Sequence, residues 1–230
     1  MARILLIDTS TSDFSVAISE DGAVARSLRS DTPRSQAAML APMVKELMDG
    51  ASLRATDLDA VCISKGPGSY TGLRVGTSTA KGICFGAGIP LLGIGTLDLL
   101  AAQAVREGLV PEGCSHVIPM VDARRMEVFS AVFSAGGVRE SVTEATVIGP
   151  DSFADLRAGG GVLLLTGDGA AKCADVLRGD DICIAPLSPD ASAMAPAAEA
   201  AYNEKRLEDI AYFEPFYLKD FVATVGKKLL

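Results

Sequence analysis

The chain has 230 residues, of which 49% are hydrophobic and 22% charged, and this composition is typical of a globular protein rather than a disordered one. Its formal net charge is −8. Because RNA binding needs clustered Lys and Arg, the chain alone is predicted to bind nucleic acid poorly. The length suffices for one large domain or for two lobes of about 100 residues each.

Cysteine usage and hydropathy indicate a cytoplasmic protein. The five cysteines are widely spaced and form no C-x-x-C pair, which argues against a disulfide framework and a structural zinc cluster. The first apolar run, "RILLID" at 3–8, lacks a cleavage region and is predicted to be a strand, not a signal peptide. No stretch approaches the roughly 18 apolar residues that cross a bilayer.

The first half of the chain is predicted to fold as β-β-β-α-β-α-β-α. Alternating and apolar runs predict the strands, a hairpin signal lies at 20–22, and Ser35 is the predicted N-cap of the first helix, with Gly50 just past its end. The predicted strands cover 3–10, 13–19, 23–30, 60–64 and 90–94, and the helices cover 35–50, the stretch after Gly72 and 96–108.

The second half repeats this order. Asp8 lies 14 residues before Gly22, and Asp122 lies 14 residues before Gly136, each Asp ending its first strand. The turn at 66–68 after the fourth strand is matched by Gly-Asp-Gly at 167–169, and such self-similarity indicates an internal duplication. Strands are predicted at 116–123, 127–134, 138–148, 162–166 and 181–185, and helices at 151–159, 170–179 and 189–207.

This arrangement resembles the duplicated, two-lobed α/β fold of actin, Hsp70 and sugar kinases, which is RNase H-like with mixed sheets. The lobes are predicted at 1–107 and 116–230, with a turn-rich linker at 107–115 and with the last helix able to pack back on the first lobe. The resemblance implies that a nucleotide would lie between the lobes, with its phosphates on the hairpins after the two first strands.

The glycine-rich stretch "GPGSYTGLRVG" at 66–76 is not a standard phosphate loop. The Walker pattern has no match, and G-x-G-x-x-G fails because Thr71 occupies the third glycine position. The pattern therefore favours a tight turn that begins a closely packed helix.

Two helices of the first lobe are candidates for a partner interface. Small residues recur every four positions on the second helix, which lets another backbone approach closely, and apolar residues recur in the same way on the first. The same spacing also suits a neighbour within the lobe. The two faces together favour a partner, and the predicted interface consists of Met39, Met43, Leu47, Gly72, Gly76, Ala80 and Cys84.

The weaker candidates are polar residues after the two first strands. An Asp followed by hydroxyl residues could orient a magnesium-bound water and a phosphate, or only stabilise a turn. The candidate nucleotide-binding residues are Asp8, Thr9, Ser10, Thr11 and Asp122. Arg124 and Arg125 could bind an anion or pair with Asp122 and Glu127, and pairing is favoured. The single histidine, His116, opens a strand, so no Ser/His/Asp or His-based metal site is expected.

Five motifs resemble those of the TsaB (YeaZ) family over most of the chain. The similarity implies a bacterial subunit of the machinery that makes N6-threonylcarbamoyladenosine at position 37 of tRNAs reading codons that begin with A. It also implies that the paralogue TsaD performs the transfer, that the chain dimerises with TsaD through its two N-terminal-lobe helices, and that the ATPase TsaE joins them. The motifs are "IDTST" at 7–11, "GPGSYTGLRVG" at 66–76, "GIGTLDLLA" at 93–101, "DARRMEVF" at 122–129 and "YLKD" at 217–220.

Some positions depart from the usual family pattern. Arg34, Tyr70, Met126 and Lys219 stand where His, Phe, Gly and Arg are common. The resemblance predicts a scaffold subunit with no catalytic residue, metal or required cofactor of its own, with ATP or ADP acting at the level of the complex. The resemblance allows a homodimer when TsaD and TsaE are absent, and it implies that tRNA is met through the complex and that no membrane is involved.

Two enzymatic alternatives remain open. The first is an ATP-binding hydrolase or small-molecule kinase of the same fold that uses Asp8 and Asp122. The second, ranked last, is a peptidase that acts on the paralogue, since the sequence contains neither a metal cluster nor a clear nucleophile–base pair.

Overall fold

Two mixed β-sheets organise the molecule. The computed structural model describes residues 2–30, 32 and 35–219. Within these residues the strands are β1 (Arg3–Asp8), β2 (Phe14–Glu20), β3 (Ala23–Ser30), β4 (Ala60–Ser64), β5 (Leu91–Ile94), β6 (Cys114–Asp122), β7 (Glu127–Ser130), β8 (Phe133–Ser134), β9 (Glu144–Val147), β10 (Val162–Thr166) and β11 (Ile182–Ala185). The α-helices are α1 (Gln36–Gly50), α2 (Tyr70–Ala87), α3 (Thr96–Arg106), α4 (Ala154–Ala158) and α5 (Ala195–Asn203).

The two sheets have the same topology. The first has the strand order β3-β2-β1-β4-β5, in which β1 pairs antiparallel with β2 and parallel with β4. The second has the order β9-β7-β6-β10-β11, in which β6 pairs antiparallel with β7 and parallel with β10. The predicted duplication and the predicted α/β fold class are confirmed.

Local sequence signals fix the ends of α2. The Ser69 hydroxyl accepts a hydrogen bond from the backbone N–H of Gly72 (3.3 Å), and Gly88 ends the helix with φ of 69°, in the left-handed region that glycine favours. The first helix differs from expectation. The Ser35 hydroxyl donates to the Thr32 carbonyl instead of capping α1, and Gly50 is the last helical residue.

The first sheet is apolar on both faces because helices cover both. Along β1, Leu5 and Ile7 point into a core shared with α1 and α2, whereas Ile4 and Leu6 point into a core shared with α5. This is why β1 is a continuous apolar run rather than an alternating one.

Each half of the chain supplies a helix to the other half's sheet. Helix α3 follows the first sheet in sequence, but Leu97, Leu100 and Ala104 pack mainly against the second sheet. Helix α5 follows the second sheet, yet it packs on the first, beside the short 3-10 helix at 191–194. The two lobes are therefore interlocked.

Several elements of the second half are shorter than predicted. The helix expected at 170–179 is a 3-10 turn at 171–173, and hydrogen-bonded turns suffice to bury Ala170, Cys173 and Leu177. The helix expected at 189–207 ends at Asn203, because Lys205 takes a left-handed φ of 55° and the Arg206 N–H bonds back to the Ala201 carbonyl (2.9 Å). The strand expected at 138–148 spans only β9, and that expected at 127–134 is split into β7 and β8.

Candidate functional site

The loop after β1 is buried and hydrogen-bonded to itself. The Asp8 carboxylate accepts hydrogen bonds from the Ser10 hydroxyl (2.7 Å) and the Ser10 N–H (3.4 Å), while its Oδ2 has no hydrogen-bond partner among the described residues. Burial raises the pKa of Asp8, and the neighbouring Ser64 side chain and the bonds from Ser10 oppose that rise. Asp8, Thr9 and Ser10 are fully buried, so a ligand in the cleft cannot reach the Asp8 carboxylate.

The glycines of the 66–76 stretch are pressed against this loop. A Cβ atom on Gly68 would lie 2.3 Å from the Ser10 carbonyl oxygen, and one on Gly72 would lie 2.1 Å from the Thr9 carbonyl oxygen. A Cβ on Gly76 would lie 2.2 Å from the Thr9 hydroxyl oxygen. The bare backbone of this stretch is thus explained by packing of α2 on the β1 loop.

The predicted partner face of α2 is its core face. Gly72, Gly76, Ala80 and Cys84 are buried against β1 and β4, and Met43 and Leu47 of α1 are buried in the same core. The four-residue spacing marks the stripe on which the lobe itself packs, so these six residues offer a partner little surface, and their contact with a partner stays a prediction. Met39 is the exception, with 47% of its surface exposed.

The surface that α1 and α2 do expose is offset from the predicted one. On α2 it includes Ser78, Gly82 and Gly86 around Phe85, whose surface is 84% exposed. On α1, which packs beside α2, the exposed residues of the first turns are small or apolar, namely Ala37, Ala38, Met39, Ala41 and Pro42, whereas the later turns expose Lys45, Glu46 and Asp49 and are left out of the face defined here. We call these residues the α1/α2 outer face. Phe85 could have been singled out in the sequence because it lies opposite the small-residue stripe.

A cleft of about 560 Å³ lies between the two lobes. Residues 10–12 and 67–71 line one side, residues 121–124 and Asp168 line the other, and residues 216–219 run along its edge. Desolvation by the walls of the cleft raises the pKa of Asp168 to about 6, although its side chain is exposed to solvent at the cleft opening and accepts a hydrogen bond from the Asp122 N–H (3.0 Å).

The hairpin between β6 and β7 carries four charged residues in an unexpected pairing. Asp122 forms an ion pair with Lys172, whose ammonium also donates to the Glu127 carbonyl (2.6 Å), and Glu127 pairs with Lys219. The predicted pairing of Arg124 and Arg125 with these carboxylates is therefore wrong. Both arginines are exposed, and neither has an ion-pair partner among the described residues.

The segment at 211–219 joins the lobes along the cleft. The Tyr217 ring packs on Tyr70 of α2 (5.1 Å between centroids), its hydroxyl accepts a hydrogen bond from Arg74 (3.4 Å), and Lys219 reaches Glu127 of β7. The Phe216 N–H donates to the Lys65 carbonyl (2.7 Å). The last residue of the "YLKD" motif, Asp220, and the divergent Arg34 lie outside the described residues.

The residues present do not fit a metal–nucleotide site built on Asp8 and Asp122. Asp8 is sealed beneath its own loop, and Asp122 is held by Lys172. Among residues 2–30, 32 and 35–219, no three His, Cys, Asp or Glu side chains are grouped as metal ligands would be. His116 is half-buried on β6, where its Nε2 lies 3.4 Å from a carboxylate oxygen of Glu140.

None of the described helices is long and apolar enough to span a membrane.

Comparison with known proteins decides the family. A family model described as "TsaD: tRNA N6-adenosine threonylcarbamoyltransferase" matches residues 30–227. The chain is 31% identical to the tRNA threonylcarbamoyladenosine biosynthesis protein TsaB of Escherichia coli (strain K12), over 96% of this chain and 96% of that protein. The chain belongs to the TsaB family, also called YeaZ.

Other relatives agree with membership of the TsaB family. The Haemophilus influenzae protein of the same name is 28% identical, over 95% of this chain and 94% of that protein. The solved structure of YeaZ from Pseudomonas aeruginosa is 27% identical with a TM-score of 0.79, over 95% of this chain and 100% of that chain. A second structure from that organism, described as an uncharacterized protein with similarity to peptidase YEAZ, has a TM-score of 0.78, 28% identity and the same coverage.

Proposed function

We propose that this chain is a non-catalytic subunit of the machinery that makes threonylcarbamoyladenosine in tRNA, and that it acts by binding TsaD. Family membership supports the pathway, since the TsaB relatives are named as tRNA threonylcarbamoyladenosine biosynthesis proteins. The family model that matches residues 30–227 describes the transferase TsaD itself, which supports a paralogous pair.

The observation that carries the binding role is the exposure of Phe85. Its ring stands in solvent on α2, and Cβ atoms placed on Gly82 and Gly86 beside it would meet no atom within 4 Å. Burial of a phenylalanine side chain is worth about 1.5–3 kcal/mol. A partner helix could approach closely over the two glycines and gain that energy, which supports the α1/α2 outer face as the docking surface.

The β1 loop supports the non-catalytic part of the proposal. In a kinase-like chemistry, Asp8 and Asp122 would have to face a common ligand. Here the buried Asp8 carboxylate accepts a hydrogen bond from the Ser10 hydroxyl, and the Asp122 carboxylate forms an ion pair with Lys172. An ATP hydrolase that used these two residues would first have to break both arrangements.

The remaining parts of the proposal follow from the family. TsaE joins the complex, ATP or ADP acts at the level of the complex, and the lone chain forms a homodimer through the same outer face. The chain works in the cytoplasm and meets tRNA together with TsaD, in keeping with its net charge of −8.

The test is Phe85→Asp, with Val142→Asp as its matched control. Val142 is 73% exposed on the other lobe, so both variants exchange an exposed apolar side chain for a carboxylate. We expect both to keep the wild-type melting temperature, and Phe85→Asp alone to lose at least tenfold in affinity for TsaD, which corresponds to about 1.4 kcal/mol. Wild-type affinity in a folded Phe85→Asp protein would refute the docking surface. ATP turnover by the purified lone chain would refute the non-catalytic role.

A further inference from the structure

We propose that the hairpin between β6 and β7 contacts phosphate groups of the tRNA backbone through Arg124 and Arg125 when the chain is bound to TsaD. The proposal rests on the proposed function, because it takes tRNA as the RNA that the complex meets. It adds a contact surface on the second lobe, away from the α1/α2 outer face.

Within the described part of the chain, the charge balance of the hairpin leaves both guanidinium groups without a carboxylate partner. The two acidic side chains on its strands, Asp122 and Glu127, are each paired with a lysine from elsewhere in the chain, Lys172 and Lys219. Among the residues that the structure describes, the two arginines therefore add two positive charges to two balanced ion pairs, and Asp168 lies in the cleft behind them. On a chain of net charge −8, such an exposed pair needs an explanation.

The turn itself does not require arginine. Arg124 and Arg125 both take left-handed backbone conformations, with φ of 71° and 51°, which glycine and asparagine adopt at lower cost. Met126 packs inward against the core of the second lobe, so it leaves the outer side of the turn to the arginines. Their presence is explained if an external anion binds them, since a guanidinium matches phosphate geometry with two parallel hydrogen bonds.

The position of the pair favours a polyanion that passes the cleft over a small phosphate inside it. Arg124 lines the cleft, whereas Arg125 lies outside it. A small phosphate within the cleft would also face the carboxylate of Asp168, which lines it and repels anions. A strand of RNA that runs outside the cleft can contact both arginines without approaching the carboxylate inside the cleft.

The experiment compares tRNA binding by TsaD complexes that contain the wild-type chain or Arg124→Asn/Arg125→Gly. These replacements suit left-handed backbone, so the melting temperature of the variant should not fall. The control is Arg54→Gln/Arg178→Gln, which removes two exposed arginines outside the hairpin, paired with Asp57 and Asp175, and changes the net charge equally. The probe is an unmodified tRNA, titrated at several salt concentrations.

We expect the hairpin variant to bind tRNA more weakly and the slope of log K against log salt concentration to become shallower by about 1.4 to 1.8, which is the loss of two phosphate contacts. The control should keep the wild-type slope. An unchanged slope in a hairpin variant that still binds TsaD overturns this proposal alone, and so does equal weakening by the control. Hairpin-dependent binding of inorganic phosphate by the lone chain, with the tRNA slope unchanged, overturns it in favour of a small anion. Failure of the wild-type chain to bind TsaD overturns the proposed function as well.

Discussion

The hydroxyl of Thr9 donates a hydrogen bond of 2.8 Å to the carbonyl oxygen of Gly72. This bond ties the loop after β1 to the first turn of α2, at the place where related folds were expected to hold a phosphate. The loop and the helix approach so closely that side chains on the helix would collide with the loop. The contact predicts which glycines of α2 the fold requires.

Gly72→Ala should destabilise the protein, and Gly82→Ala should stabilise it. The new Cβ at residue 72 would lie 2.1 Å from a backbone oxygen, which cannot move as a flexible side chain can, so a cost of about 1–3 kcal/mol is expected. At residue 82 the Cβ meets nothing within 4 Å, and alanine in an exposed helix gains about 0.5–1 kcal/mol over glycine. Urea unfolding of the three proteins measures both effects, and equal stabilities would contradict the packing described.

Ala80→Arg should abolish folding rather than disturb only a docking surface. The Ala80 side chain is fully buried where α2 packs on the first sheet, and an unpaired charge there costs several kcal/mol. Met43→Glu should act in the same direction, because Met43 belongs to the same core. Circular dichroism melting distinguishes these variants from Phe85→Asp, and a cooperative, wild-type melting curve for Ala80→Arg would show that the core face has been misassigned.

Asp168 should make the protein less stable as the pH rises from about 4 to about 6. Its pKa is raised from 3.8 to about 6 in the folded protein, so the folded state binds a proton more tightly than the unfolded state does. Its ionised form is therefore disfavoured by folding. The penalty is absent below pH 4 and complete above pH 6. Asp8, whose pKa is also raised, acts in the same direction.

Asp168→Asn isolates this contribution. Asparagine retains a carbonyl oxygen that can accept the hydrogen bond from the Asp122 N–H, but it does not ionise. We expect the difference in unfolding free energy between variant and wild type to grow in the variant's favour from pH 4 to pH 6 and then to level off. A difference that stays constant over this range would mean that the Asp168 pKa is not raised.

Tyr217→Ala should loosen the segment at 211–219. It removes a ring contact with Tyr70, worth about 0.5–1.5 kcal/mol, together with the bond to Arg74. Tyr212→Ala is the control, because Tyr212 lies in the same segment with 85% of its surface exposed. Hydrogen exchange should accelerate at 211–219 in the first variant only. Equal protection in both variants would mean that Tyr217 does not fasten this segment.

The first lobe could be predicted from the sequence more fully than the second. The strands of the first half and α1 to α3 lie where hydrophobic periodicity places them, because those elements are long and strongly patterned. In the second half, residues 170–179 have helical spacing, but turns bury the same apolar residues. Periodicity reports which residues are buried, and it does not distinguish a short helix from a series of turns.

The site was harder to predict because it depends on tertiary pairing. The four-residue spacing from Gly72 to Cys84 suits a partner helix or the lobe's own sheet equally well, and only the fold shows that the sheet occupies this face. Likewise, the cations nearest to Asp122 in sequence are Arg124 and Arg125. The Asp122 carboxylate nevertheless pairs with Lys172, which lies 50 residues away in sequence. Spacing along the helix did not distinguish the two neighbours in the first case, and proximity along the chain was the misleading signal in the second.

The reciprocal placement of α3 and α5 has a consequence for biosynthesis. The strands of the first sheet leave the ribosome long before the helix that covers the face formed by Ile4 and Leu6, because that helix ends only at Asn203. A fragment truncated in the linker after α3 would leave that face open to water and α3 without the sheet on which it packs. The nascent chain therefore exposes this apolar surface until α5 has been made, and neither half of the chain supplies all of the helices that cover its own sheet.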